Sequence, residues 1–168
     1  MRVYLPATLP LLAGWLRLAG APAGVTGFAV TPGLRESDAE GDAEELEWAA
    51  SVLAGRASLR LLAGDDDAAR RRVVVAADVA DDDVAPLDHL EPGAVRLGVG
   101  VGVPSWAAGL VDDPGAAPVI AAAADVVDAA DLGDDDAEFA VGEAEDAELA
   151  WWAAQELPGL VNPTPGER

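Results

Sequence analysis

The run Arg70-Arg71-Arg72-Val73-Val74-Val75-Ala76-Ala77-Asp78-Val79 constrains this chain more than any other stretch. Successive side chains of a strand point to opposite sides of a sheet, so five apolar residues in a row bury both faces. The segment is therefore read as a central strand, and the fold must supply cover above and below it. Hydrophobic residues make up 51% of the 168, enough for one core of that kind. Much of this fraction is Ala, and the large anchors are few: five Trp, two Phe, one Tyr and one Met.

The flanking segments supply the cover. Val3 and Leu5 alternate with Arg2 and Tyr4 in a first strand closed by Pro6. Thr8 caps a helix through Leu18, with Pro10 in its first turn and Gly20 at its end. Residues 24–31 read as a second strand, followed by a turn at Pro32 and Gly33. Two capping-box patterns, Ser37 with Glu40 and Asp42 with Glu45, precede a helix over about 43–62. Its stripe is Leu46, Ala50, Leu53 and Ala57, and Arg56 and Arg60 sit near the end that the helix dipole makes negative.

Beyond the central strand, residues 80–93 read as an acidic loop with a weak pairing segment. Residues 95–103 read as a strand, and Ser105–Asp113 as a further strand stopped by Pro114. Residues 116–130 form an Ala-rich helix, and a loop with a brief strand around Phe139 and Val141 follows. A last helix over about 146–157 is expected to end at Pro158 and to close the core. The sum is a single α/β (α+β) domain over residues 1–161, with a mixed sheet of about five to six strands covered by helices. Residues 162–168 are expected to form a flexible tail.

Several chemistries are disfavoured at once. Without Cys there are no disulfides, thiolate nucleophiles or thiolate metal sites. All ten basic residues are Arg, and with one Ile and one Asn the composition follows GC-rich codons. The net charge of −21 is polarised: residues 1–35 carry three Arg and no acid, and residues 97–168 carry fifteen acids and one Arg. Such a field repels nucleic-acid phosphates and anionic lipid heads, so neither is expected as a partner, and a basic protein partner fits better. No stretch has 18 uninterrupted apolar residues, so no membrane span is expected. The N-terminal run, broken by Pro6 and Pro10 and carrying Arg17, reads as structure rather than as a signal peptide.

The motifs are weak. Gly98, Gly100 and Gly102 resemble a phosphate cradle, but the dinucleotide pattern needs Gly where Val103 stands, so no cofactor is expected. A strict period of two puts these glycines on one strand face, suited to a close-packed helix. The triplets Asp65–Asp67, Asp81–Asp83 and Asp134–Asp136 lack the ligand spacing of a calcium loop. Asp112 and Asp113, at the end of an apolar segment, are the least bland acids and the weak candidates for a metal. His89, the one imidazole, lies in a polar loop, and no GxSxG serine accompanies it. Arg70–Arg72 could grip an anion, though local balance with Asp65–Asp67 explains them as well.

The adjacent Trp151 and Trp152 differ by about 100° on a helix, so both bound one broad apolar face. Trp152 is expected to bury. Trp151, with Gln155 and Glu156, then forms a possible partner surface that Glu148 also rims.

MRVYLPATL, GFAVTPGLRE, DAEELEWAA, RRVVVAADV, LVDDP and ELAWWAAQELP, in this order over nearly the whole chain, resemble an uncharacterised actinobacterial domain-of-unknown-function family. The resemblance implies a cytoplasmic bacterial protein, favours strand at Ser105–Asp113, and carries over no catalytic residues. Two functional readings follow. The first is a non-enzymatic interaction or regulatory module. The alternative is a small divalent-metal-assisted hydrolase using Asp112, Asp113 and a further carboxylate, since water needs a metal to become a nucleophile here.

Overall fold

The computed structural model describes residues 1–162, and in it the central run is a strand with neighbours on both sides. In chain order the elements are β1 (Arg2–Ala7), α1 (Leu9–Arg17), β2 (Gly20–Ala21), β3 (Thr26–Ala29), α2 (Pro32–Ser37) and α3 (Ala43–Ala63). Then come β4 (Val73–Asp78), β5 (Val84–Pro86), β6 (Ala94–Leu97), β7 (Val101–Gly102) and β8 (Trp106–Asp112). The chain continues with α4 (Ala117–Asp131), α5 (Asp135–Glu145), β9 (Leu149–Ala153) and α6 (Leu157–Val161).

The main sheet runs β5-β6-β3-β1-β4-β8-β9, and β2 pairs with β7 in a separate ribbon. The α/β single-domain reading holds, with seven strands in the sheet and every pairing antiparallel. Alternation of helix and strand had suggested some parallel pairing. Here α1 and β2 leave and re-enter at one end of the sheet, so β3 runs back along β1.

Parity in β4 decides the layers. Val73, Val75 and Ala77 join Val3, Leu5, Leu12, Trp15 and Leu157 in one core, roofed by α1 and α6. Val74 and Ala76 join Tyr4, Phe28, Leu46, Ala50 and Ala54 in another, roofed by α3. Each fully buried Val contributes about 1.5–3 kcal/mol, so β4 anchors both layers. A third cluster joins Leu59 and Leu62 of α3 to Ile120, Ala123, Val127 and Val141 of the α4–α5 hairpin. Ser58, fully buried, donates to the Ala7 carbonyl at 2.7 Å and accepts from the Val73 amide at 3.1 Å, stitching α3 to β1 and the start of β4.

Caps behave as read at α1 and α3. Thr8 Oγ1 accepts from the Leu11 amide, and the Asp42–Glu45 box is complete. Ser37 instead ends α2, so its pattern is not a box. Pro32 and Gly33, expected as a turn, open α2 because Thr31 Oγ1 caps it and Pro suits a first helical position.

Three further segments differ from expectation. The 95–103 strand is two strands, since β6 stops at Leu97 and Gly98–Gly100 turn the chain into β7. Gly98 and Gly100 face backbone rather than a helix: a Cβ on Gly98 would lie 3.3 Å from the Asp83 carbonyl and one on Gly100 3.3 Å from the Ala21 carbonyl. The loop and brief strand around Phe139 and Val141 is α5, started by Asp134 and acids in its first turn. Residues 146–157 are a connection, β9 and a 3-10 turn, and the closing helix begins only at Leu157 with Pro158 in its first turn. That helix still closes the core, with Leu157 fully buried. Beyond Asn162, the expected tail lies outside the described residues. No helix among the described residues is long and apolar enough to cross a membrane.

Candidate functional site

Asp112 ends β8 and is fully buried against Arg72, itself almost fully buried. Its Oδ2 accepts from the Arg72 amide at 2.6 Å and from Nε at 3.0 Å, and its Oδ1 accepts from Nη2 at 2.8 Å. Arg72 Nη2 also donates to the Ala147 carbonyl at 2.8 Å, and Arg71 Nε donates to the Asp112 carbonyl at 2.7 Å. Both carboxylate oxygens are engaged, so this is a charge clamp tying β4, β8 and the approach to β9. Asp113 is exposed, and its Oδ1 accepts from the Gly115 amide at 2.8 Å, capping the 3-10 turn at Pro114–Ala116. Among the described residues no three His, Cys, Asp or Glu gather where a metal ion could be held. Arg70 serves the end of α3 instead, donating to the Leu62 carbonyl at 2.6 Å and reaching Asp66. His89 is exposed.

The most distinctive surface lies where α3 stops covering the sheet. α3 packs over β1, β3 and β4, which leaves Leu110 and Leu149 at the β8–β9 margin only partly covered. A cleft of about 480 Å³ opens there, with Trp48, Ser51 and Val52 of α3 on one wall and Leu110 and Leu149 on the other. Arg72 and the connection from Glu145 to Glu148 complete it. Trp48 is 69% exposed, and Trp151 is 65% exposed. Trp151 lies opposite Leu110 in the ladder and two residues from Leu149, so it shares the α3 face of the sheet.

The rim is acidic. Glu145, Asp146 and Glu148 line it, and burial raises the Glu145 carboxyl above its ordinary range despite Arg56 Nη1 at 3.5 Å. Arg56 is held by Asp131 and Glu138 as well, which raises its own pKa.

β9 is an edge strand. The Ala153 amide donates to Glu156 Oε2 at 2.8 Å and the Asp112 amide to the Arg72 carbonyl at 3.1 Å, so both point away from the β8–β9 ladder. Antiparallel alternation then turns the backbone groups of Leu149 and Trp151 outward too. No strand among the described residues pairs with that side.

Trp151, Gln155 and Glu156 are all exposed, in a strand and 3-10 turn rather than on a helix. Trp152 takes the opposite face and packs on the α1-side core, although its buried Nε1 has no hydrogen-bond partner. Trp48 belongs to no motif in the sequence. Its signal was a large aromatic lying off the Leu46–Ala50–Leu53 stripe.

No curated protein and no solved structure matches the chain. The profile of a family of unknown function, DUF6912, matches residues 1–161, and the chain belongs to that family.

Proposed function

We propose that this protein is a non-enzymatic interaction module, cytoplasmic and of actinobacterial type, that takes a basic, extended segment of a protein partner along β9. The observation that carries the reading is the exposure of Trp48 and Trp151 on the same side of the sheet, beside a strand edge left unpaired among the described residues and the acids Glu145, Asp146 and Glu148. Outward backbone groups give an added strand its ladder. Indole faces attract guanidinium or ammonium groups, and the acidic rim steers and selects them. A second copy suits this edge poorly, because each chain carries −21 and Glu148 and Glu156 flank β9. The same field works against nucleic acid and anionic membranes.

The test is titration of the full chain with a capped peptide alternating Arg and Val, followed by Trp emission and calorimetry. Saturable binding is expected, weakened about tenfold in Trp151→Ala, as for loss of an aromatic anchor. A copy of the peptide with alternate backbone nitrogens methylated removes the ladder and should bind far more weakly. Equal binding of the methylated copy, or no loss in Trp151→Ala, overturns the proposal.

A further inference from the structure

We infer that a second cleft, towards the other margin of the sheet, binds a small amphipathic carboxylate: an apolar body with one anionic head. The cleft, open on one side, has a volume of about 600 Å³, within the range of small-molecule sites. Its floor is the α3 face of β1, β3 and β6, with Pro6, Phe28 and Ala94. Ala57 and Leu61 of α3 form one side and Leu90 of the β5–β6 connection another. Leu90 is 69% exposed and Leu61 36%, so apolar side chains here face a space that the described residues leave uncovered.

This cleft holds a cation without an acidic partner, in a molecule that is otherwise strongly acidic. Arg60 and Arg96 both line it, in a chain with 31 acids and ten Arg. Arg60 Nε and Nη2 are taken by Asp131 at 2.6 and 3.0 Å, while Nη1 lies 3.8 Å from Glu91, beyond a hydrogen bond. Arg96 lies on β6 opposite Thr26, is exposed, and has no side-chain or carbonyl acceptor among the described residues. A guanidinium matches a carboxylate with two parallel donors. An apolar body reaching over Phe28 and Ala94 places such a head near Arg96. A cationic amphiphile would instead meet the Arg96 guanidinium, which no carboxylate among the described residues neutralises. This site is independent of the Trp48 cleft, which has its own wall on α3 and lies at the other sheet margin.

The test uses ¹⁵N-labelled full chain titrated with decanoate below its micellar range, beside decan-1-ol and decylammonium. Shifts are expected to concentrate at Phe28, Leu61, Ala94 and Arg96, with decanoate bound at least about tenfold more tightly than the alcohol, the scale of a charge-assisted hydrogen bond. Arg96→Gln, an exposed change that leaves the core intact, should remove that advantage and leave decan-1-ol binding unchanged. Ala57→Trp, which fills the cleft, should abolish both. Equal affinities for decanoate and decan-1-ol, no effect of Arg96→Gln, or shifts centred on Trp48 would each overturn the inference.

Discussion

Arg72 and Asp112 form a two-pronged ion pair, Nη2 to Oδ1 at 2.8 Å and Nε to Oδ2 at 3.0 Å, with both side chains almost completely removed from water. Desolvating two charges costs several kcal/mol, so the pair itself adds little net stability, while losing one member strands the other. Asp112→Ala should therefore cost about 3–5 kcal/mol, and replacing both by apolar residues of similar volume should cost far less. Urea unfolding of the two variants decides it, and a cheap single variant would contradict the burial. Because both carboxylate oxygens are occupied, millimolar Mg²⁺, Mn²⁺ or Ca²⁺ should leave Tm where a matched salt control leaves it. A specific rise would show metal binding to the folded chain, and its loss in Asp112→Asn would place the metal at Asp112.

Asp88 joins three chain segments. Its Oδ1 accepts from Thr31 Oγ1 at 2.5 Å and from the Gly93 amide at 3.0 Å, and its Oδ2 accepts from the Gly33 amide at 3.2 Å. Burial pushes this carboxyl up, but the Thr31, Gly93 and Gly33 donors outweigh it and hold the pKa below the ordinary value. A depressed carboxylate adds stability above its unfolded pKa, near 3.9, and the gain disappears as pH falls through the lower folded value. Asp88→Ala should cost about 1–3 kcal/mol at pH 7 and less in strong acid, where the ionised carboxylate's share is already gone. A Cβ on Gly33 would collide with the Asp88 carboxylate, so Gly33→Ala should be harmful in the native chain and milder in Asp88→Ala. Thermal melts of the double-mutant cycle across pH check both signs.

Asp131 and Glu145 flank Arg56 and titrate in opposite senses. The Arg60 hydrogen bond lowers Asp131, whereas burial raises Glu145. Asp131→Asn should therefore lower Tm at pH 7, with the difference fading as pH drops below the unfolded value near 4. Glu145 opposes folding while ionised, and that opposition is relieved as pH falls through its raised folded pKa. Glu145→Gln should accordingly raise Tm at pH 7 and merge with the parent below about pH 4. Two curves displaced in the same direction would refute the assignment.

The parts of the fold that were legible in the chain are those where one periodicity excludes the other. Val73–Ala77 is too short and too apolar for anything but a buried strand, and Asp42–Glu45 before a long stripe admits only a helix start. ELAWWAAQELP failed because an almost uniformly apolar stretch fits a period of 2 and of 3.6 alike. Two adjacent aromatics favour a strand, and Pro158 marks a first helical turn as readily as a stop. Gly142 hid α5, although Ala137, Val141 and Ala144 keep helical spacing. Of the candidate surface, Trp151 was readable as exposed. Its place on the same side of the sheet as Trp48 required knowing that α3 covers β8 and β9 only in part, a fact of strand order that no local pattern encodes.

Gly109 and Leu157 test how α6 closes the core. A Cβ on Gly109 would overlap Leu157 Cδ2, and Leu157 is fully buried among residues of the α1-side core, so its side chain has no free space to enter. Gly109→Ala should thus force α6 outward at a cost of about 1–3 kcal/mol, the range for overpacking. Leu157→Ala should cost about 2–5 kcal/mol through lost burial and a cavity. The added methyl of Gly109→Ala partly fills that cavity, so the double variant should lie well short of the summed losses. Urea midpoints at constant m-value measure the coupling, and strict additivity would mean that α6 does not rest on Gly109.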